Sequence, residues 1–140
     1  LYTHIEIVSK RVLSIHIHIN HCYLNIYHHN ENIIEKEYYA KLKELDGYIG
    51  QIIQATKDAG TFDQTIFIIT ADHGGINKGH GGKTMNEMET PFIICGKNIK
   101  KGLNFNESMM QYDVASTIAY VFGLNQPQVW IGRPMLQVFK

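Results

Sequence analysis

The sequence predicts an α/β fold, a mostly parallel central sheet flanked by helices, on three observations. Between Glu37 and Ala59 the apolar residues Tyr38, Leu42, Leu45, Ile49, Ile52 and Ile53 recur at spacings that make one helical stripe. Two short apolar runs, Ile66–Thr70 and Pro91–Cys95, are unbroken by polar residues, as in strands covered on both faces of a parallel sheet. A second helical segment begins at Asp113 and ends at Phe122. An N-terminal strand followed by helix, strand, strand and helix is the element order of α/β layers.

In chain order, Leu13, Ile15, Ile17 and Ile19 alternate with Ser14, His16, His18 and Asn20, a period of two that predicts a strand with one covered face. His16 and His18 fall on the other face, where the polar side of a strand explains them better than ligation. Residues 20–36 show no period and read as loop. The helix of Glu37–Ala59 should stop at Gly60, where a C-terminal glycine belongs. Gly47 and Gly50 lie inside it, each costing about 1 kcal/mol relative to Ala, which suggests close packing against a neighbour. Pro91 opens its strand, where the missing N–H does least harm. Lys97–Asn106 is a polar, turn-rich connection. Asp113 should cap the last helix and Gly123 should end it. The tail from Pro127 to Lys140 is irregular, with Trp130 and Arg133 as its expected anchors. Met109, Met110 and Tyr112 read as packing residues.

The composition divides the chain at about residue 36. Residues 1–36 contain no Gly, Pro, Asp or Ala, yet hold six of the eight His, at positions 4, 16, 18, 21, 28 and 29. Residues 37–140 look like an ordinary globular domain. Thirteen basic residues balance thirteen acidic ones, so no nucleic-acid footprint or polybasic membrane patch is visible. No apolar run is long enough to span a membrane. Cys22 and Cys95 do not form a disulfide framework, and Cys95 reads as a small buried hydrophobe at the end of its strand. The chain opens on Leu1 rather than Met, which suggests a fragment or a processed product. No segment gives its compartment.

The chemistry is concentrated in Thr70-Ala-Asp-His-Gly-Gly75 and Gly79-His-Gly-Gly82. A buried strand delivers a carboxylate and an imidazole, Asp72 and His73, into a glycine-rich turn, and His80 follows seven residues after His73. Ligands at the carboxyl end of a strand are a common way for α/β enzymes to build a site. Asp and His supply the oxygen and nitrogen donors that zinc accepts. Gly74 and Gly75 would allow the turn that brings adjacent side chains to one ion. The bland alternatives are that Asp72 caps a turn, His73 packs locally and His80 sits on a loose loop. Placement after a buried strand favours ligation for all three. Lys78 and Lys83 flank the loop and read as solvated surface residues rather than an anion clamp. Gly81-Gly82-Lys83-Thr84 is not a phosphate-binding loop, because the position reserved for its first Gly is Asn77.

These segments, together with Glu37-Tyr-Tyr-Ala-Lys-Leu-Lys-Glu-Leu-Asp46, Glu89-Thr-Pro-Phe92, Met110-Gln-Tyr-Asp113 and Trp130-Ile-Gly-Arg-Pro134, resemble the alkaline phosphatase superfamily. Within it they look most like the type I phosphodiesterase/nucleotide pyrophosphatase branch. The resemblance runs from Glu37 to Met135. It implies an alkaline phosphatase-like fold, present here as an incomplete C-terminal portion, and two divalent metal ions, zinc by preference. Asp72 and His73 would then serve the metal that activates a Ser or Thr nucleophile, and His80 the other. The family's Asp-x-x-x-His pair would fall on Asn25 and His29. His29 fits, whereas Asn25 is a neutral amide and a poorer zinc ligand. The family's nucleophile segment has no counterpart, and Ser14, Thr70 and Thr84 sit in no recognisable nucleophile turn. Residues 1–36 are divergent from the pattern.

The function implied is a metal-dependent hydrolase of phosphoric esters, of the phosphodiester or nucleotide pyrophosphate class, acting on a small-molecule phosphate ester or nucleotide. As a C-terminal fragment it would be nearly inactive alone. One alternative is a non-catalytic metal-binding or interaction remnant of the fold. Another is a sulfatase or phosphonate hydrolase relative, because these share the metal scaffold. An incomplete sheet would also leave the strand Ile66–Thr70 with an exposed edge prone to self-association.

Overall fold

The computed structural model describes residues 2–9, 12–18, 31–75 and 80–140, with side chains at residue 36 and from residue 38 onward. The chain divides into two compact units, Leu1–Thr65 and Ile66–Lys140.

In the first unit, β1 (Tyr2–Ser9) and β2 (Val12–His18) form an antiparallel hairpin. The register pairs Tyr2 with His18 and His4 with His16. The alternating apolar run thus becomes β2, paired with a strand that the sequence pattern did not single out. The helix α1 spans Glu31–Asp58 and so starts earlier than the apolar stripe suggested. Residues 31–36, read as loop, are helical. Three polar turns bracket the stripe: Lys41 Nζ bonds Glu44 Oε2 at 2.8 Å, Tyr48 Oη donates to Glu44 Oε1 at 2.8 Å, and Gln54 Nε2 donates to Asp58 Oδ1 at 2.8 Å. Side chains three and four apart on a helix meet in this way. The helix ends where expected. Gly60 takes φ +67°, its N–H donates to Lys57 O at 2.9 Å, and Thr61 N–H donates to Thr56 O at 2.9 Å. This is a Schellman ending, which needs a left-handed residue and so favours Gly. Gly47 and Gly50 do not mark close packing: among the described residues nothing lies within 4 Å of where their Cβ would be.

The second unit is built on β3 (Ile66–Thr70) and β4 (Phe92–Gly96). They pair antiparallel, with Ile66 opposite Gly96 and Thr70 opposite Phe92. The described strands therefore include no parallel pair, in contrast to the mostly parallel sheet that the apolar runs suggested. A parallel neighbour needs a long crossover, usually a helix. Here the described residues of the connection include no helix longer than the four-residue α2 (Met85–Met88), and the chain returns to the end of β3 that it left. An unbroken apolar run does not distinguish the two pairings. Nor does Cys95 point inward; it is free and exposed.

The core of this unit lies under β4 and the C-terminal tail. Ile99, Met135 and Val138 are buried together, with Ile66, Ile94, Met109 and Phe139 packed against them. The tail is stitched on by an antiparallel bridge between Ile99 and Phe139, by Lys100 N–H to Val138 O at 2.8 Å, and by Lys140 N–H to Asn98 O at 2.9 Å. Trp130 is not the anchor; it is 43% exposed, and Met135 and Val138 fill that role. Met110 and Tyr112 are likewise exposed rather than packed.

The helix α3 spans Asp113–Val121 and closes at Gly123 (φ +64°) with a second Schellman ending, Leu124 N–H donating to Ala119 O at 2.9 Å. Asp113 does not cap the helix with its side chain. It is its first residue, 1% exposed, and its carboxylate faces away from the following amides. Oδ2 accepts from Met110 N–H at 2.8 Å and Oδ1 accepts from Arg133 N–H at 2.9 Å. Its backbone oxygen accepts from Thr117 Oγ1 at 2.7 Å, and Thr117 Oγ1 accepts in turn from Met135 N–H at 3.0 Å. One buried carboxylate thus joins the turn before α3 to the tail. Arg133 adds a bond from Nη2 to Ser108 O at 2.8 Å. Gly132 is required by this closeness, since a Cβ there would lie 2.5 Å from Tyr112 O and 2.6 Å from Ser116 Oγ.

Replacing Asp113 by Ala leaves two amide donors without their acceptor. The expected loss is about 2–4 kcal/mol of unfolding free energy, and Asp113→Asn, which keeps one acceptor, should lose less. Urea denaturation followed by far-UV circular dichroism measures both.

Candidate metal centre

Asp72 and His73 leave the end of β3 as the sequence predicts. Ala71, between the strand and this pair, is held by Gln111 Nε2, which donates to Ala71 O at 2.9 Å. The exit point of the strand is therefore fixed by the turn that precedes α3.

The Asp72 carboxylate is divided between two tasks. Oδ1 accepts from His73 N–H at 3.0 Å, and Oδ2 lies 3.5 Å from His73 Nε2. The other ring nitrogen, Nδ1, lies 2.7 Å from Gly74 O. A carbonyl oxygen only accepts, so Nδ1 carries the proton, and in the neutral ring Nε2 is left with the lone pair. A backbone bond of this kind is how a ligating His is commonly held in one tautomer. Two ligand atoms on one tetrahedral zinc, each at about 2.0–2.1 Å, lie about 3.3 Å apart. The separation of Oδ2 and Nε2 matches that span, and carboxylate plus imidazole is a donor set suited to zinc. In this respect the residues fit a metal.

His80 comes back to the same place. Its ring stacks on the His73 ring with centroids 4.1 Å apart and planes at 29°. His73 is half-buried, whereas Asp72 and His80 are exposed. Among the described residues no group of three or more His, Cys, Asp or Glu side chains forms a ready cage for an ion. Asn25, His29 and Lys78 lie outside the described residues. Lys83 is exposed, as expected of a solvated lysine. Thr70 is also exposed at the strand's end, where its hydroxyl donates to Ala71 O at 3.4 Å.

Two glycines and one glutamate explain the return. Gly74 N–H donates to Glu87 O at 2.9 Å. A Cβ on Gly74 would collide with the backbone oxygen of Asn86 and lie 2.8 Å from that of Glu89. Gly74 thus serves close approach to α2, a role beyond the turn that the Gly-Gly pair suggests. On the return, Gly82 N–H donates to Glu87 Oε1 at 2.9 Å, and a Cβ on Gly82 would run into the same carboxylate. Glu87 Oε2 accepts from Thr84 Oγ1 at 2.7 Å and from Thr84 N–H at 3.4 Å. The Thr84 hydroxyl, then the Gly82 amide, hold the Glu87 carboxyl below the ordinary glutamate range, with a smaller contribution from the His80 charge. Neither the role of Glu87 nor the partnership of Thr84 with it is among the expectations from sequence. Their signal was present: Thr84-Met-Asn-Glu87 has the spacing of a capping box at a helix start.

The sulfatase family pattern matches residues 10–124. The chain belongs to the sulfatase family, within the alkaline phosphatase superfamily. It is similar to arylsulfatase K of Danio rerio, at 28% identity over 94 residues that cover 64% of this chain and 18% of that protein. Arylsulfatase K of Bos taurus is 31% identical over 104 residues, covering 71% of this chain and 19% of that protein. GPI ethanolamine phosphate transferase 1 of Saccharomyces cerevisiae is 29% identical over 124 residues, covering 75% of this chain and 14% of that protein. The chain thus spans less than a fifth of each of these relatives. No solved structure matches. Among the described residues no helix is long and apolar enough to cross a membrane.

The depressed carboxyl sets a pH dependence. A group whose pKa is lowered on folding stabilises the folded form when ionised. The contribution of Glu87 is complete above the ordinary glutamate range and is lost as pH falls through its lower folded value. The Gly82 amide should report this in an NMR titration, with a midpoint below that of an unstructured glutamate. In Glu87→Gln the transition should disappear.

Proposed function

We propose that this chain carries part of the metal-holding loop of a metal-dependent hydrolase acting on esters of phosphoric or sulfuric acid. The observation that carries the reading is the 3.5 Å approach of Asp72 Oδ2 to His73 Nε2, with His80 stacked beside them, in a chain of the sulfatase family. Two divalent ions, zinc by donor type, suit this set. Asp72 and His73 would hold one and His80 the other. Such ions, when bound, polarise the ester's central group and activate the attacking oxygen. The chain's own work is to present Oδ2 and Nε2 together, to keep the proton of His73 on Nδ1, and to bring back His80.

Both esters present a tetrahedral centre with anionic oxygens, so one loop can serve either. The sequence resemblance favours phosphodiesters and nucleotide pyrophosphates. The relatives support both classes, since some are named arylsulfatase and another is named a phosphate transferase. A second reading is a non-catalytic remnant of the fold; Asn25, a neutral amide where the resemblance calls for a carboxylate, favours it.

Zinc titration by calorimetry separates these readings. The chain should bind zinc, and Asp72→Ala and His80→Ala should each weaken binding about tenfold or more. Equal affinity in both variants would contradict the metal reading. With zinc bound, release of nitrophenol from bis(4-nitrophenyl) phosphate or from 4-nitrophenyl sulfate, abolished in Asp72→Ala, would assign the ester class. Failure of the chain to bind zinc would favour the remnant.

A further inference from the structure

Glu87 is bonded to both sides of the histidine loop. Its backbone oxygen accepts from Gly74, the residue after His73. Its carboxylate accepts from Gly82, two residues after His80. Both amides belong to glycines at which a side chain would collide with α2 or with the Glu87 carboxylate. The segment between them carries the only covalent link from His73 to His80, whereas Glu87 gives a second, non-covalent link across its base.

We propose that Glu87 is the positioning residue of the metal site: its backbone and carboxylate together hold the His73 and His80 rings in register. The proposal rests on the reading that these two His serve metal, but its geometry can be tested without metal. In this role Glu87 stands behind the ligands. It acts through the two glycine amides, as groups behind a ligand orient it elsewhere. Breaking the carboxylate bond frees the return strand of the loop, so His80 can leave the His73 ring. The Gly74 bond survives, because it uses the backbone of residue 87.

A simple helix-capping role makes a different forecast. Capping runs through Thr84, whose hydroxyl and amide meet Oε2, while the loop is held through Oε1. Thr84→Val removes the hydroxyl contact and leaves the Gly82 bond in place. Glu87→Ala removes both. Glu87→Gln keeps an oxygen for Gly82; its amide can donate to the Thr84 hydroxyl oxygen but cannot accept from the Thr84 N–H.

The test is NMR on the whole chain with labelled histidine, beside zinc calorimetry, for wild type, Glu87→Ala, Glu87→Gln, Thr84→Val and His80→Ala. Circular dichroism confirms that each variant is folded. Contacts between the His73 and His80 rings should be present in wild type, Glu87→Gln and Thr84→Val, and absent in Glu87→Ala. Zinc affinity should fall about tenfold to a hundredfold in Glu87→Ala and stay near wild type in Glu87→Gln and Thr84→Val. Ring contacts that persist in Glu87→Ala, or that are missing from wild type, would overturn the proposal. Equal damage in Thr84→Val and Glu87→Ala would also overturn it, by showing that only the helix cap matters. If His80→Ala binds zinc like wild type, the metal reading fails, and the ring contacts alone still decide whether Glu87 positions the loop.

Discussion

The pairing of Thr70 with Phe92 sets the position of everything between them. Antiparallel pairing forces the chain that leaves β3 to come back to the same end, so the residues between start and finish side by side. Closing such a loop costs conformational entropy, but the cost rises only slowly with length. Short bonds at its base offset part of it. Gly74 to Glu87 on the outward side and Gly82 to Glu87 on the return are two such bonds. Asp72, His73 and His80 meet because the ladder and these bonds leave them little alternative.

The same economy of partners holds the rest of the unit. Asp113 receives one amide from the turn before α3 and one from the tail, and Thr117 relays a third contact to Met135. Gln111, in that turn, reaches the carbonyl just before Asp72. The buried carboxylate and the loop are thus joined through a single short segment. Stability at Asp113 and geometry at Asp72 are expected to be coupled on that account.

Much of this was legible from sequence. The α1 stripe, both Schellman glycines, the two apolar strands and the Asp72-His73 placement follow from spacing and from the conformational range of Gly. Other features were not legible, for identifiable reasons. An apolar run marks a strand but fixes neither its partner's orientation nor its burial: β4 has three exposed residues of five. Gly74 was read as a turn residue, although a close backbone approach selects Gly just as strongly. Asp113 looked like a cap because Asp before an apolar periodic run usually is one; its true partner, Arg133, is far along the chain. Trp130 is the expected anchor of the tail, whereas Met135 and Val138 reach the core because the tail pairs with the Asn98–Lys100 turn. The Thr84–Glu87 spacing is visible in the sequence as a capping box.

On the proposed reading, His73 and His80 are ligands held side by side, each for its own ion. The most direct check follows the ring nitrogens of all eight histidines by NMR as zinc is added in small steps. His73 Nε2 and the His80 ring should shift first and in parallel, with His73 Nδ1 keeping its proton throughout. If zinc instead moves the histidines of residues 1–28 while His73 and His80 stay fixed, the two rings are not a metal site.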